Sequence, residues 1–169
     1  MNAPHEESER LVRLLALVAR EDEHLLAVRW RLLGDDCDVS ESRAERLLSD
    51  PTGIDRLESF GAKFARMQDT VVDKLIPVLL QAAGESVFAA IDNLGKMERL
   101  GLVESADDWI AMRRLHNRLV HEYIEHPADL AHELGRACKF TRAMHADWLR
   151  ISRYAEEHLH VQVPEKSGE

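Results

Sequence analysis

The densest group of chemically capable side chains lies in the segment RRLHNRLVHEYIEH, residues 113–126. It carries three histidines, three arginines, an asparagine and a tyrosine. Histidine titrates nearest to neutral pH of all side chains, so it can take up and release a proton during a reaction. Arginine holds phosphate oxygens through its forked N–H donors. These residue types together indicate acid–base chemistry on a substrate that carries phosphate.

Helical spacing places the polar residues of this segment on one face. Residues three, four and seven apart share a face of a helix, so Arg114, Asn117 and His121 align, with Arg118 beside them. Arg114 and His121 are separated by two turns, about 10 Å along the axis, and Asn117 between them can hydrogen-bond to either. The opposite face is largely apolar and carries Trp109, Met112, His116, Leu119 and Tyr123.

Each of these residues also has an ordinary structural explanation. The polar face can be a solvated surface with ion pairs such as Arg118 to Glu122, because surface charges usually do no more than solvate a helix. His116 is expected to be packed and hydrogen-bonded on the apolar face. Tyr123 by itself is expected to be a core aromatic whose hydroxyl reaches the edge of the core.

The remainder of the chain predicts helices and no strand. Apolar residues recur at helical spacing, Ser40 and Ser105 are suited to capping helix starts, and Gly34 to ending a helix. Pro77 falls inside an apolar stripe and predicts a kink or a break. The expected helices cover residues 8–33, 41–49, Leu57 to Leu79, Val87 to Met97, 106–126, and a last helix that opens at Pro127 and passes Ile151.

This pattern predicts an all-α fold, an up-and-down bundle of five to six helices with short connections. The chain of 169 residues fits a single domain. We expect residues 1–7 to be disordered, residues 8–160 to form the domain, and residues 161–169 to be a flexible tail.

Composition limits the classes of function. The net charge of -9 excludes binding to nucleic acid through bulk electrostatics, so contact with RNA requires a local basic patch. No apolar run approaches the roughly 20 residues of a membrane span, and the first ten residues lack the apolar core of a signal peptide. Cys37 and Cys138 form neither a disulfide framework nor a zinc-ligand spacing, which is typical of a reducing cytoplasm. No metal or cofactor is expected.

The segment WIAMRRLHNRLVHEY, residues 109–123, resembles the signature of HEPN domains, in particular the HepT-like toxins. That signature is an arginine, four to six residues, a histidine, and a tyrosine two residues later. Arg114, His121 and Tyr123 match it with the longest spacing, and the commonest spacing would place the arginine where this chain has His116. The resemblance is close over residues 105–125 and loose over residues 8–155.

The resemblance implies a HEPN-like bundle and a metal-independent endoribonuclease. His121 would act as acid or base and Arg114 as the phosphate clamp, with Asn117 orienting either group and His116 and Arg118 as auxiliary residues. Members of this family usually join two such sites in the cleft of a homodimer. Their partner is a nucleotidyltransferase antitoxin that transfers AMP to the tyrosine, here Tyr123, and the added charge and bulk would exclude RNA phosphate.

Two other functions fit the same residues. A non-catalytic HEPN-like subunit that binds a nucleotidyltransferase is favoured by His116 at the usual arginine position. A carboxylate-bridged metal bundle is the other, because Glu21 with His24 and Glu157 with His160 both give the Glu-x-x-His pattern of such sites.

Overall fold

The computed structural model describes residues 3–121 and 126–163, which are helical with short connections and contain no strand. The predicted all-α fold is confirmed, and six helices lie in these ranges. None of them is long and apolar enough to cross a bilayer. The helices are α1 (Ala3–Leu33), α2 (Glu41–Ser49), α3 (Pro51–Asp69, a π-helical stretch Thr70–Leu75, then Ile76–Ala82), α4 (Ala90–Arg99), α5 (Ala106–His121) and α6 (Pro127–His158).

Helix α3 is central, since α1 and α5 both pack against it. Helix α6 contacts α1, α2 and α5, and the short helix α4 covers α5 and the end of α3. The core between these helices is apolar, with large side chains that are almost fully buried, among them Leu15, Leu25, Phe60, Phe64, Leu75, Trp109, Met112 and Leu134.

Local sequence signals explain several helix ends. The Ser40 hydroxyl accepts a hydrogen bond from the N–H of Arg43 at 3.2 Å, and the Ser105 hydroxyl accepts one from Asp108 at 3.1 Å. Gly34 ends α1 with a φ of 67°, a left-handed conformation that glycine adopts without steric cost. These three predicted helix ends are confirmed.

Other boundaries differ from the prediction. Helix α1 begins at Ala3 rather than at Ser8, supported by an i, i+4 contact of 3.0 Å between His5 and Glu9. Helix α3 begins at Pro51, because the Asp50 carboxylate caps it. Helix α4 begins only at Ala90, so Val87 and Phe88 precede it and are exposed. Helix α6 begins at Pro127 as predicted. Helix α5 is described as far as His121. Its predicted end near His126 stays a prediction, because residues 122–125 lie outside the described ranges.

Pro77 neither breaks nor ends α3. The turns just before it are π-helical, and the N–H of Ile76 bonds to the carbonyl of Val71, five residues earlier. Proline lacks an N–H and crowds the carbonyl four residues before it, and the wider π turn relieves this crowding. The helix therefore continues to Ala82 with its apolar side still facing the core.

The two cysteines correct a prediction. The number and spacing of the cysteines predicted no disulfide framework. A disulfide nevertheless joins Cys37 to Cys138, which are 101 residues apart in the sequence and have Cα atoms 5.4 Å apart. The bond ties the loop after α1 to the middle of α6. Gly135 lets this loop approach α6, because a Cβ there would lie 3.1 Å from the carbonyl oxygen of Cys37.

A second link joins α1 to α6. Nδ1 of His145 lies 2.8 and 3.0 Å from the two carboxylate oxygens of Asp22, which is buried. The disulfide and this pair fix α6 along the length of α1, and α6 in turn supports α5.

Candidate functional site

The start of α5, the helix that carries the polar segment, is held from two sides. The indole N–H of Trp109 donates to the buried carboxylate of Asp147 on α6 at 2.8 Å. The same carboxylate accepts the backbone N–H of Glu104 at 3.1 Å, and Glu98 of α4 accepts the backbone N–H of Ala106 at 2.6 Å. Helices α4 and α6 thereby fix which face of α5 is turned outward.

His116 lies on the inner face of α5. It is only 8% exposed, and its Nδ1 lies 3.5 Å from the side-chain oxygen of Gln68 and 3.9 Å from a carboxylate oxygen of Asp69. The prediction that His116 is packed is confirmed. His116 is therefore separated from the outward face on which Arg114 lies.

The three arginines of the segment have different surroundings. Arg113 donates to Asp73 at 2.7 Å, and Arg118 lies 2.6 Å from Glu133. Arg114 is exposed and makes no hydrogen bond or ion pair with any residue in ranges 3–121 and 126–163. Asn117, one turn further on, is exposed and has no hydrogen-bond partner within those ranges either. These two side chains are available to an incoming ligand.

The remaining residues of the motif are described in part or not at all. The backbone of His121 continues α5, so its position follows Arg114 by two turns, about 10 Å. The side chain of His121 and the whole of Tyr123 lie outside the described residues. Glu122, the predicted ion-pair partner of Arg118, also lies outside them, so that pair stays a prediction. Among the described residues, Arg118 pairs with Glu133.

Two residues at this surface were not predicted. Glu133 on α6 has a side chain that is 4% exposed. One of its oxygens forms an ion pair with Arg118 at 2.6 Å, and the other accepts a hydrogen bond from Arg136 at 3.2 Å. Arg136 also lies over the ring of Phe140, 5.6 Å from its centroid. A signal was present in the sequence, because Glu133 sits beside Leu134 in the apolar stripe of α6, where a carboxylate needs partners.

The Glu-x-x-His patterns do not build a metal site among the described residues, where no three metal-ligating side chains converge. Glu21 is buried and accepts a hydrogen bond from the hydroxyl of Thr70 at 3.1 Å. Burial raises the pKa of the Glu21 carboxyl above its ordinary value, and the bond from Thr70 offsets part of that rise. Glu157 and His160 are exposed near the end of α6.

The outward face of α5 is suited to an anionic group. It offers the guanidinium of Arg114, which has no carboxylate partner among residues 3–121 and 126–163, the amide of Asn117 and the half-exposed guanidinium of Arg118, on a helix that is fixed from behind. Comparisons with family models, with curated proteins and with solved structures gave no match. The outward face of α5 is therefore assigned as the candidate site from its residues and geometry alone.

Proposed function

We propose that the protein is a HepT-like HEPN endoribonuclease whose catalytic surface is the outward face of α5. Arg114 clamps a phosphate of the RNA, His121 transfers the proton, and Asn117 orients one of them. The observation that carries this proposal is the environment of Arg114. Of the three arginines in the segment, it is the one with no carboxylate partner in the described part of the chain.

The overall charge makes that environment informative. The chain has 31 acidic and 22 basic residues, so an arginine on its surface has many potential carboxylate partners. Arg113 and Arg118 have taken such partners, whereas Arg114 has not in the described ranges. A guanidinium with no carboxylate partner in the described part of an acidic protein provides the local attraction for phosphate that the net charge of -9 opposes.

The reaction would proceed without a metal ion. A histidine takes the proton of the RNA 2′-hydroxyl, and the oxygen attacks the neighbouring phosphorus. Arg114 stabilises the negative charge that develops on the phosphorane. A second histidine returns a proton to the leaving 5′-oxygen, giving a 2′,3′-cyclic phosphate and a 5′-hydroxyl.

A second histidine implies a second copy of the chain. We propose a homodimer in which the helices that carry Arg114 and His121 lie near the two-fold axis and share a cleft. The proposed partner is a nucleotidyltransferase antitoxin that adenylates Tyr123. The added phosphate would repel RNA from the cleft and block it sterically.

The other candidate function is a non-catalytic binding subunit with the same fold. It is favoured by the burial of His116, because the position at which the commonest motif spacing has an arginine points into the core. A buried histidine in contact with Gln68 cannot hold a phosphate on the surface.

Cleavage of RNA by purified protein free of its partner tests the proposal. His121→Ala should abolish cleavage with the fold intact. Arg114→Ala should slow it by roughly ten- to a thousandfold, the range for loss of one contact to developing charge. Arg153→Ala, which removes another exposed arginine on α6, is the matched control and should cleave like the parent. If the parent cleaves no RNA, or if His121→Ala cleaves as fast as the parent, the binding subunit replaces the nuclease.

A further inference from the structure

We infer a second phosphate subsite, formed by Arg118 of α5 and Arg136 of α6 around the buried carboxylate of Glu133. Its ligand is a phosphodiester of single-stranded RNA, an assignment that rests on the proposed function. The subsite lies beside the proposed catalytic residues on the face of the α5–α6 pair and extends the RNA contact onto α6.

The first support is the geometry of the two guanidinium groups. Each binds a different oxygen of the same carboxylate, Arg118 at 2.6 Å and Arg136 at 3.2 Å, so two helices present their cations side by side. Glu133 pairs with one nitrogen of each guanidinium, and each guanidinium carries five N–H donors. Donors therefore remain on both arginines for a further anion.

The Glu133 carboxylate is buried, whereas the guanidinium groups of Arg118 and Arg136 are accessible to solvent. The Glu133 side chain is 4% exposed, whereas Arg118 is 46% exposed and Arg136 is 38% exposed. A ligand from solvent therefore meets the guanidinium groups and not the carboxylate. Counted by themselves, the side chains of Arg118, Arg136 and Glu133 sum to a charge of +1, from +2 and -1, which one phosphodiester of charge -1 neutralises.

The arginine side chains are already ordered before a ligand arrives. Arg136 is held by Glu133 and by the ring of Phe140, with 5.6 Å between the guanidinium carbon and the ring centroid. Ordering a long side chain on binding costs on the order of 1 kcal/mol, and a side chain fixed in advance avoids most of that cost. Preorganisation of this kind favours a binding role for the pair.

Further basic side chains lie on both helices near the subsite. On α5, Arg114 lies one turn before Arg118, a separation of about 6 Å between Cβ atoms. On α6, Arg136 borders a groove of about 390 Å³ whose other lining residues include His132 and Lys139, and Asp38 of the disulfide-bound loop adds one acidic group. A single strand could thus follow the surface from Arg114 towards Lys139.

A similar ion pair elsewhere on α6 provides a matched control. Arg150 is 40% exposed and lies 2.6 Å from Asp147, which is 3% exposed. Its other neighbour is Glu104 at 3.6 Å, so one arginine there faces two carboxylates and the local charge is -1. Arg136→Ala and Arg150→Ala remove the same group at similar exposure from clusters whose net charges, +1 and -1 with the arginine counted, are opposite.

The test is binding of a fluorescent 2′-O-methyl oligoribonucleotide, measured by anisotropy on the full chain at several salt concentrations. This probe cannot be cleaved, because its 2′-oxygen carries no proton and cannot attack. Arg118→Ala and Arg136→Ala should each raise Kd by about ten- to a hundredfold, the effect of losing one hydrogen-bonded contact between charged groups. Each should also lower the slope of log Kd against log salt by about 0.7. Arg150→Ala should change Kd less than about twofold.

Arg136→Gln separates binding from folding, since glutamine retains a donor to Glu133 but has no charge, and it should weaken binding as Arg136→Ala does. If both Arg136 variants bind as tightly as Arg150→Ala, or if the parent does not bind the probe, the subsite is overturned. A parent that binds the probe through Arg118 and Arg136 but leaves natural RNA intact would refute the nuclease and retain the subsite. If the parent cleaves RNA and Arg136→Ala binds the probe as tightly as the parent, the subsite is refuted and the nuclease is retained.

Discussion

Removal of the disulfide should lower the stability of the protein by several kcal/mol. The perturbation is Cys37→Ala together with Cys138→Ala, which breaks the link between the loop after α1 and α6 without adding a polar group to two buried positions. The bond closes a loop of 101 residues in the unfolded chain. For a loop of this length the chain-entropy model gives about 4.7 kcal/mol, and the usual measured range is about 2–4 kcal/mol.

Urea unfolding of the oxidised parent and the double variant measures this loss. For m-values of about 1–3 kcal/mol/M, a loss of about 3 kcal/mol lowers the midpoint by roughly 1–3 M. The m-value of the variant should also be larger, because an unfolded chain without the cross-link is more expanded and exposes more surface. The oxidised parent should have the mass of the chain less two hydrogens.

The reduced parent serves as the control, since it keeps both sulfur atoms but not the bond. Its unfolding curve should follow that of the double variant. If the fully reduced parent unfolds at the same urea concentration as the oxidised parent, the loop-closure argument fails. If protein purified in air retains two free thiols, the cysteines do not pair at all.

Two further substitutions test the buried polar groups. Glu21→Gln should raise the urea midpoint, and more so towards alkaline pH, because the pKa of this carboxyl is raised by burial above its ordinary 4.5. A group of this kind favours the folded state while it is protonated and loses that contribution as pH rises above 4.5 and through its folded-state pKa. Parallel pH profiles of the parent and the variant from pH 4.5 upwards would contradict this prediction. His116→Ala should lower stability by about 1–3 kcal/mol, since it removes a packed ring and leaves Gln68 without its contact, and an unchanged thermal midpoint would place His116 outside the core.

Features set by neighbouring residues could be predicted from the sequence. Ser40 and Ser105 cap helices because the cap bond joins residues three apart, and Pro127 opens α6 because its missing N–H is not needed in a first turn. The packed position of His116 followed from the 3.6-residue period of α5.

Features that depend on distant residues could not be predicted in this way. The partner of Cys37 is 101 residues away, and composition alone favoured two unpaired thiols. Arg118 binds Glu133 of the next helix, a partner that the spacing within α5 could not indicate. Pro77 predicted a kink or a break in α3, whereas the helix passes through the π-helical stretch Thr70–Leu75 and continues to Ala82.

The dependence of α5 on α6 has a consequence for the order in which the protein takes shape during translation. Trp109 finds its hydrogen-bond acceptor only in Asp147, 38 residues later in the chain. At synthesis rates of about 5–20 residues per second, the ribosome needs on the order of 2–8 seconds to pass from one to the other. During that interval the chain holds Arg114 but cannot yet make the contact that fixes the outward face of α5. The candidate site is therefore among the last parts of the molecule to reach its final form, and an early arrest of translation would leave a chain without it.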